Sequence, residues 1–120
     1  MSEEISEKEV IESLKKFGGH PRFAEIIVEL AKTHGQKSSD YDETPLSSLK
    51  GTQKWGIRPW ESALVLMNTK WQRLSNLLAS GKRLEFKKVI ELSNDLAVYT
   101  ILFRILYEED EEWITGRRGD

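Results

Sequence analysis

The longest regular pattern in the chain is a stripe of apolar residues that repeats in alternating steps of four and three. Its members are Trp60, Leu64, Met67, Trp71, Leu74 and Leu78. Residues three and four apart share one face of an α-helix, whereas a strand puts every second residue on one face. The stripe therefore predicts a long helix. Pro59 begins it at a position where the missing N–H costs nothing, and Gly81 ends it.

Three further segments carry the same helical period. Ser6 and Glu9 have the spacing of a capping box and predict the start of a first helix. Pro21 begins a second helix, which we expect Gly35 to end, and a last helix runs from about residue 84 to residue 109. No repeat or strand pattern interrupts these segments. We therefore expect an all-α protein that folds as a four-helix bundle.

Residues 35–58 lack this periodicity and are rich in Ser, Gly, Lys and Thr. We predict a long loop here, between helices two and three, and connections of such length are usually functional or disordered. With 120 residues, of which 38% are hydrophobic, the chain has enough apolar side chains for one core. We expect a single helical domain over residues 1–110. Residues 111–120, where an acidic run leads into Gly-Arg-Arg-Gly, are expected to form a flexible tail.

Charge and residue usage narrow the possible functions. The formal net charge of −2 lacks the basic footprint of proteins that bind DNA or RNA, so nucleic acid ranks low among the expected partners. The absence of cysteine excludes disulfides, thiolate metal sites and cysteine nucleophiles. No apolar run approaches the length needed to span a bilayer, and the acidic start is unlike a signal peptide. We therefore expect a cytoplasmic protein without a membrane partner.

Two polar clusters interrupt the apolar faces of the last two helices. Lys70 and Arg73 share one face of the third helix, and Glu91, Asp95 and Tyr99 share one face of the fourth. Leucines surround Asp95 at helical spacings, which predicts a carboxylate largely removed from water. Such a carboxylate needs a cation, and Lys70, Arg73 or a metal ion would provide it. The clusters therefore predict either a structural ion-pair network or a ligand site between two helices.

Three short motifs follow one another along the chain. They are Lys37-x-x-Asp40-Tyr41, Lys70-x-x-Arg73-Leu74 and Glu91-x-x-x-Asp95-Leu96-Ala97-x-Tyr99. Their order and spacing, over roughly residues 23–107, resemble the nucleotide-modification-associated helical domains of phages and bacteria, which are similar to the MazG-like all-α NTP pyrophosphatases. The resemblance implies a helical bundle, often oligomeric, whose inward polar residues bind a nucleoside triphosphate with Mg²⁺. Cleavage of the (d)NTP to (d)NMP and pyrophosphate is the implied reaction.

The resemblance also implies a role for each motif residue. The substrate-binding residues would be Lys37, Asp40, Tyr41, Lys70, Arg73 and Tyr99. The ligands of Mg²⁺ would be Glu91, Asp95 and Asp40, and the first two would also be the catalytic residues. An aromatic side chain from the loop, Tyr41 or Trp55, would lie against the base.

The chain departs from the MazG pattern in its carboxylates. MazG-type enzymes hold Mg²⁺ with a Glu-x-x-Glu pair on one helix and a Glu-x-x-Asp pair on another. Here Lys70 and Arg73 occupy the helix that should carry the first pair, and Leu92 stands three residues before Asp95. Because Mg²⁺ demands oxygen ligands, the sequence predicts phosphate binding more directly than catalysis.

Two further predictions concern partners. The missing carboxylates, the acidic tail and the four tryptophans favour an alternative, a non-enzymatic phage or bacterial module that sequesters a nucleotide or inhibits a host protein. Trp55, Trp60 or Trp113 would then be exposed, since tryptophan is enriched in interface hot spots.

The third and fourth helices are also apolar over more of their surface than one packing seam requires. We therefore expect a homodimer in which both helices pack against their symmetry mates.

Overall fold

A computed structural model describes residues 5–40, 46–81 and 86–118. The regular structure in these ranges is entirely helical, which confirms the all-α class. The helices are α1 (Glu7–Lys15), α2 (Pro21–Asp40), α3 (Ser47–Lys50), α4 (Pro59–Ala79), α5 (Phe86–Glu109) and α6 (Glu111–Arg118), with a 3₁₀ turn over Gly51–Trp55. None of the helices described combines the length and apolar character needed to cross a membrane.

The chain's contacts group into two compact units, Met1–Glu43 and Thr44–Asp120. The first contains α1 and α2, and the second contains α3 to α6. The single domain over residues 1–110 and the four-helix bundle stay predictions.

The first unit pairs α1 with α2 across a tight glycine turn. The hydroxyl of Ser6 accepts a hydrogen bond from the amide N–H of Glu9 at 3.2 Å, as the capping-box spacing predicts. Gly18 and Gly19 follow α1 with φ angles of +89° and +86°. Residues with a Cβ rarely adopt this left-handed backbone, so the two glycines reverse the chain where other residues would be strained. Pro21 then begins α2, as predicted.

α2 continues past the glycine that we expected to end it. The helix runs to Asp40 and contains Gly35. A glycine ends a helix by taking a left-handed conformation, and Gly35 has no positive φ. The cost of a glycine inside a helix is about 0.5–1 kcal/mol relative to alanine, which is too small to stop a helix that its neighbours favour.

The predicted long loop is largely helical where the structure describes it. Residues 35–40 belong to α2, whereas α3 and the 3₁₀ turn occupy residues 47–55. Leu49 of α3 is buried against Ala63 and Leu106. A helix of four residues is too short to repeat the apolar period, so the sequence pattern missed it. Residues 41–45 lie outside the described ranges.

The core of the second unit lies between α4 and α5. Ala63 is fully buried there against leucines of α5. The two helices are antiparallel, because Trp60 near the start of α4 contacts Phe103, and Lys70 further along α4 contacts Asp95. This register places the two predicted polar clusters opposite each other.

A nearly buried carboxylate joins α4, α5 and α6. The side chain of Asp110 is 8% exposed and accepts hydrogen bonds from the indole N–H of Trp60 at 2.9 Å and the guanidinium of Arg58 at 3.3 Å. It also accepts the backbone N–H of Trp113 at 3.2 Å, which caps the first turn of α6. Most residues of the expected flexible tail therefore lie in a capped helix.

Aromatic rings pack around this carboxylate. The centroid of the Trp60 ring lies 5.4 Å from that of Trp113, 5.5 Å from that of Tyr107 and 6.2 Å from that of Phe103. Two of these pairs meet edge to face, an arrangement that aromatic quadrupoles favour. We call Asp110 and the four rings the aromatic clasp.

Candidate functional site

Lys70 and Asp95 meet between α4 and α5, at the centre of the predicted site. The ammonium Nζ of Lys70 lies 3.0 Å from Oδ2 of Asp95. The two side chains are 21% and 33% exposed, so the pair is partly buried and water still reaches the carboxylate. Of the three candidates that the sequence offered for the cation, Lys70, Arg73 and a metal ion, the first pairs with Asp95.

Arg73 and Glu91 lie one helical turn away from this pair, towards the α4–α5 connection. Arg73 is three residues beyond Lys70 on α4, and Glu91 is four residues before Asp95 on the antiparallel helix. Both side chains are exposed, and neither forms an ion pair within the described part of the chain. The guanidinium of Arg73 is thus available to an anion from solution.

The remaining predicted site residues are distributed over both units. Tyr99 is half-buried, one turn from Asp95, and packs against the core of the second unit. Lys37 and Asp40 belong to the last residues of α2, in the first unit. Tyr41 lies outside the described residues.

The described carboxylates do not fit a preformed magnesium site. Within residues 5–40, 46–81 and 86–118, no three His, Asp or Glu side chains come together as metal ligands. α5 contributes Glu91 and Asp95, and the ammonium of Lys70 already contacts the second of these. The ammonium of Lys70, 3.0 Å from Oδ2 of Asp95, would repel a Mg²⁺ ion bound to the same oxygen. The ion pair therefore disfavours Mg²⁺ at Asp95.

The apolar stripe of α4 is only partly in the core. Trp71 is 61% exposed, and Leu64 and Leu78 are exposed as well, whereas Met67 and Leu74 are half-buried. Successive residues are about 100° apart around a helix, so α5 covers the face that contains Ala63 and leaves the stripe at its flank. Periodicity identified the stripe, but it gives no information on which neighbour covers it.

Of the three tryptophans that the alternative function offers for a protein interface, one is exposed. Trp55 is 74% exposed at the end of the 3₁₀ turn, with Nζ of Lys54 5.6 Å from the ring centroid. Trp60 and Trp113 are half-buried in the aromatic clasp, so Trp55 is the exposed one of the three predicted alternatives. Trp55 precedes α4, and Arg73 lies about 21 Å along that helix from its start, so stacking of Trp55 on a base bound near Arg73 is not favoured.

The first unit contains surface ion pairs. The pKa of Glu25 is lowered from 4.5, mainly because Nη1 of Arg22 donates a hydrogen bond to Oε1 at 2.9 Å. Partial desolvation opposes this effect, and the ammonium of Lys15, 3.5 Å from Oε2, adds to it. The pKa of Lys32 is raised from 10.5 by its hydrogen bond to Glu7 at 2.8 Å.

A cleft of about 230 Å³ lies beside the glycine turn of the first unit. Its walls are mainly apolar, with Phe17, Phe23 and Ile27 among them. Lys15 lines it too, but its ammonium is engaged by carboxylates. His20 lines it as well, and its Nδ1 accepts a hydrogen bond from the backbone N–H of Arg22 at 3.1 Å.

Comparisons with known proteins identify no relative. No protein family, no curated protein and no solved structure matches the chain. The resemblance to the nucleotide-modification-associated and MazG-like proteins therefore stays a prediction that rests on three short motifs.

Proposed function

We propose that the protein binds a nucleotide through its phosphates, at Arg73 and Lys70. The observation that carries this proposal is the exposed guanidinium of Arg73, without an ion pair in the described ranges, one turn from the Lys70–Asp95 pair. A guanidinium chelates phosphate oxygens with two parallel hydrogen bonds, and an ammonium acts on them as a point charge. The ammonium of Lys70 pairs with one oxygen of Asp95 at 3.0 Å, and an ammonium has three N–H donors, so donors remain for a ligand.

The acidic residues limit the strength and the chemistry of this binding. Asp95 and Glu91 balance the charges of Lys70 and Arg73, so the cluster has no net charge with which to attract a triphosphate from a distance. Affinity therefore depends on short contacts with Arg73. A hydrogen bond to a charged group contributes about 1.5–3 kcal/mol, so loss of Arg73 should weaken binding about tenfold or more.

The proposal covers binding and does not include Mg²⁺-dependent hydrolysis. Glu91 and Asp95 are two carboxylates on one helix, and the second is held by Lys70. Asp40, the third predicted ligand, belongs to α2 of the first unit. Pyrophosphohydrolysis of a (d)NTP is therefore an activity to measure beside binding. A nucleotide ligand accords with the cytoplasmic location expected from the sequence.

Isothermal titration calorimetry tests the proposal directly. The full chain is titrated with the four dNTPs, the four NTPs and pyrophosphate, with and without Mg²⁺, and pyrophosphate release is followed in the same mixtures. We expect binding of at least one nucleotide, weakened about tenfold or more in Arg73→Ala. The matched control is Arg104→Ala on α5, whose guanidinium is held by Glu108 at 2.9 Å, and it should bind as the native chain does. An absence of binding by the native chain, or equal losses in both variants, would overturn the proposal.

The exposed indole of Trp55 supports a second candidate function. With the exposed Ile57 two residues later, it forms a small apolar surface of the kind that anchors protein partners. A phage or bacterial module that binds a host protein through this surface would bind no nucleotide. It would capture a partner that Trp55→Ala loses and Arg73→Ala retains.

A further inference from the structure

One face of α4 is almost free of charge. Its residues are Leu64, Met67, Trp71, Leu74 and Leu78, which we call the α4 face. Charged residues make up 32% of the chain, yet Lys70 and Arg73 are the two found among residues 62–79. Lys70 is engaged by Asp95, and Arg73 lies about 160° around the helix from Trp71. The cores of protein interfaces show the same depletion of charge and enrichment in Trp and Met.

A flank of α5 extends this apolar surface. Phe103 contacts Trp60, the first member of the apolar stripe, so this side of α5 adjoins the α4 face. Leu96 and Val89 lie seven and fourteen residues before Phe103, and hence near the same side of the helix. All three side chains are half-buried. The apolar surface is therefore two helices wide.

We propose that the α4 face is the interface of a two-fold homodimer, in which it packs against the same face of a second copy. Its alternating steps of four and three are the spacing of a coiled-coil seam, in which side chains of one helix fit between those of its partner. A two-fold interface places a patch against itself, so a charged patch would repel its copy. The flanking residues Asn68 and Ser75 are uncharged, so two copies bring no like charges together along most of the seam.

The same features favour a second copy of this chain, and not an unrelated protein, as the partner of the α4 face. Interfaces between different proteins use complementary charges to select the partner and fix the register. The α4 face offers no charge for such a partner to complement, and what remains is a regular pattern that a second α4 matches. Its size is that of a small interface. A helix of 21 residues is about 32 Å long and about 10 Å wide, so α4 and α5 side by side present roughly 600 Å² in projection. A standard interface buries about 800 Å² per partner.

Sedimentation velocity of the full chain at micromolar concentration tests this proposal. We expect a species of twice the chain mass of 13.9 kDa. Trp71→Glu introduces two like charges into the seam and should give a monomer with unchanged far-ultraviolet circular dichroism. Val65→Glu is the matched control, because Val65 is 64% exposed, close to the 61% of Trp71, and lies about 120° away around α4. This variant should remain a dimer.

Three outcomes would overturn the proposal. They are a monomeric native chain, a dimer that persists in Trp71→Glu, and equal dissociation of both variants. If Trp71→Glu loses helical signal, Leu78→Glu, at the other end of the α4 face, replaces it with the same expectation. Nucleotide titrations of the Trp71 variant separate this proposal from the previous one, since Arg73 lies on the opposite flank and should bind unchanged.

Discussion

Removal of the ammonium from the Lys70–Asp95 pair should lower the free energy of unfolding by about 1–2 kcal/mol. Exposed ion pairs contribute about 0–1 kcal/mol, whereas loss of one partner of a fully buried pair costs about 3–5 kcal/mol. With side chains 21% and 33% exposed, this pair lies between these limits. It lies nearer the first, because water still reaches the carboxylate and replaces part of the lost interaction.

A double-mutant cycle measures the coupling within the pair. Lys70→Met keeps most of the apolar stem, Asp95→Asn keeps the shape of the acid, and urea unfolding of the native chain, both single variants and the double variant gives four free energies. We expect a coupling of about 1 kcal/mol. The control cycle is Arg104→Met with Glu108→Gln, an exposed pair on α5 with a coupling of at most about 0.5 kcal/mol.

The dependence of the coupling free energy on salt is a second, independent test. A partly buried pair is screened less than an exposed one, so molar NaCl should leave more than half of the Lys70–Asp95 coupling and abolish that of the control. A Lys70–Asp95 coupling no larger than the control, or one that molar salt removes, would show that both groups are solvated. The Lys70–Asp95 pair would then contribute no more to the α4–α5 packing than an exposed pair does.

Two further predictions concern the other polar contacts. Asp110→Ala removes the acceptor of the Trp60 indole N–H and one of the two carboxylates that pair with Arg58, so the free energy of unfolding should fall by about 2–3 kcal/mol. The near-ultraviolet tryptophan signal should weaken as well, and an unchanged signal would contradict the aromatic clasp. In the folded protein Glu25 should titrate below 4.5 by NMR, and Arg22→Ala should bring its midpoint back towards 4.5. Because the folded pKa is the lower one, the stability that Glu25 contributes is present above pH 4.5 and is lost as pH falls through the folded pKa, so a loss that begins well above pH 4.5 would contradict this assignment.

The long helices were predictable because each repeats the apolar period several times between strong local signals. Pro21 and Pro59 mark the starts of α2 and α4 in the sequence, and both helices begin there. α3 was not predictable, since four residues cannot show a period and Leu49 is held by residues distant in the chain. Gly35 misled the prediction because its effect depends on a backbone angle that the sequence does not specify.

The candidate site was also predictable only in part. The pairing of Lys70 with Asp95 was one of the predicted alternatives, because each residue interrupts an apolar helix face and a charge in such a place needs a partner. The aromatic clasp was missed, because Asp110 and Trp60 are 50 residues apart and only the antiparallel packing of α4 and α5 brings them together. The exposure of Trp71 was missed for a related reason: periodicity shows which residues share a face but leaves open which face a neighbour covers.

The position of the aromatic clasp has a consequence for the kinetics of folding. The α4–α5 pair is a helical hairpin whose two helices are joined by the connection between Ala79 and Phe86. Lys70 and Asp95 lie nearer this connection than Trp60 and Asp110 do, and the chain between them is half as long as the 50 residues from Trp60 to Asp110. Once they have met, little further chain must be ordered for the clasp to close. Interactions that form after the transition state act on the unfolding rate and leave the folding rate almost unchanged. We therefore expect substitutions in the clasp to change mainly the unfolding rate of the α4–α5 pair, and substitutions near the connection to change mainly its folding rate.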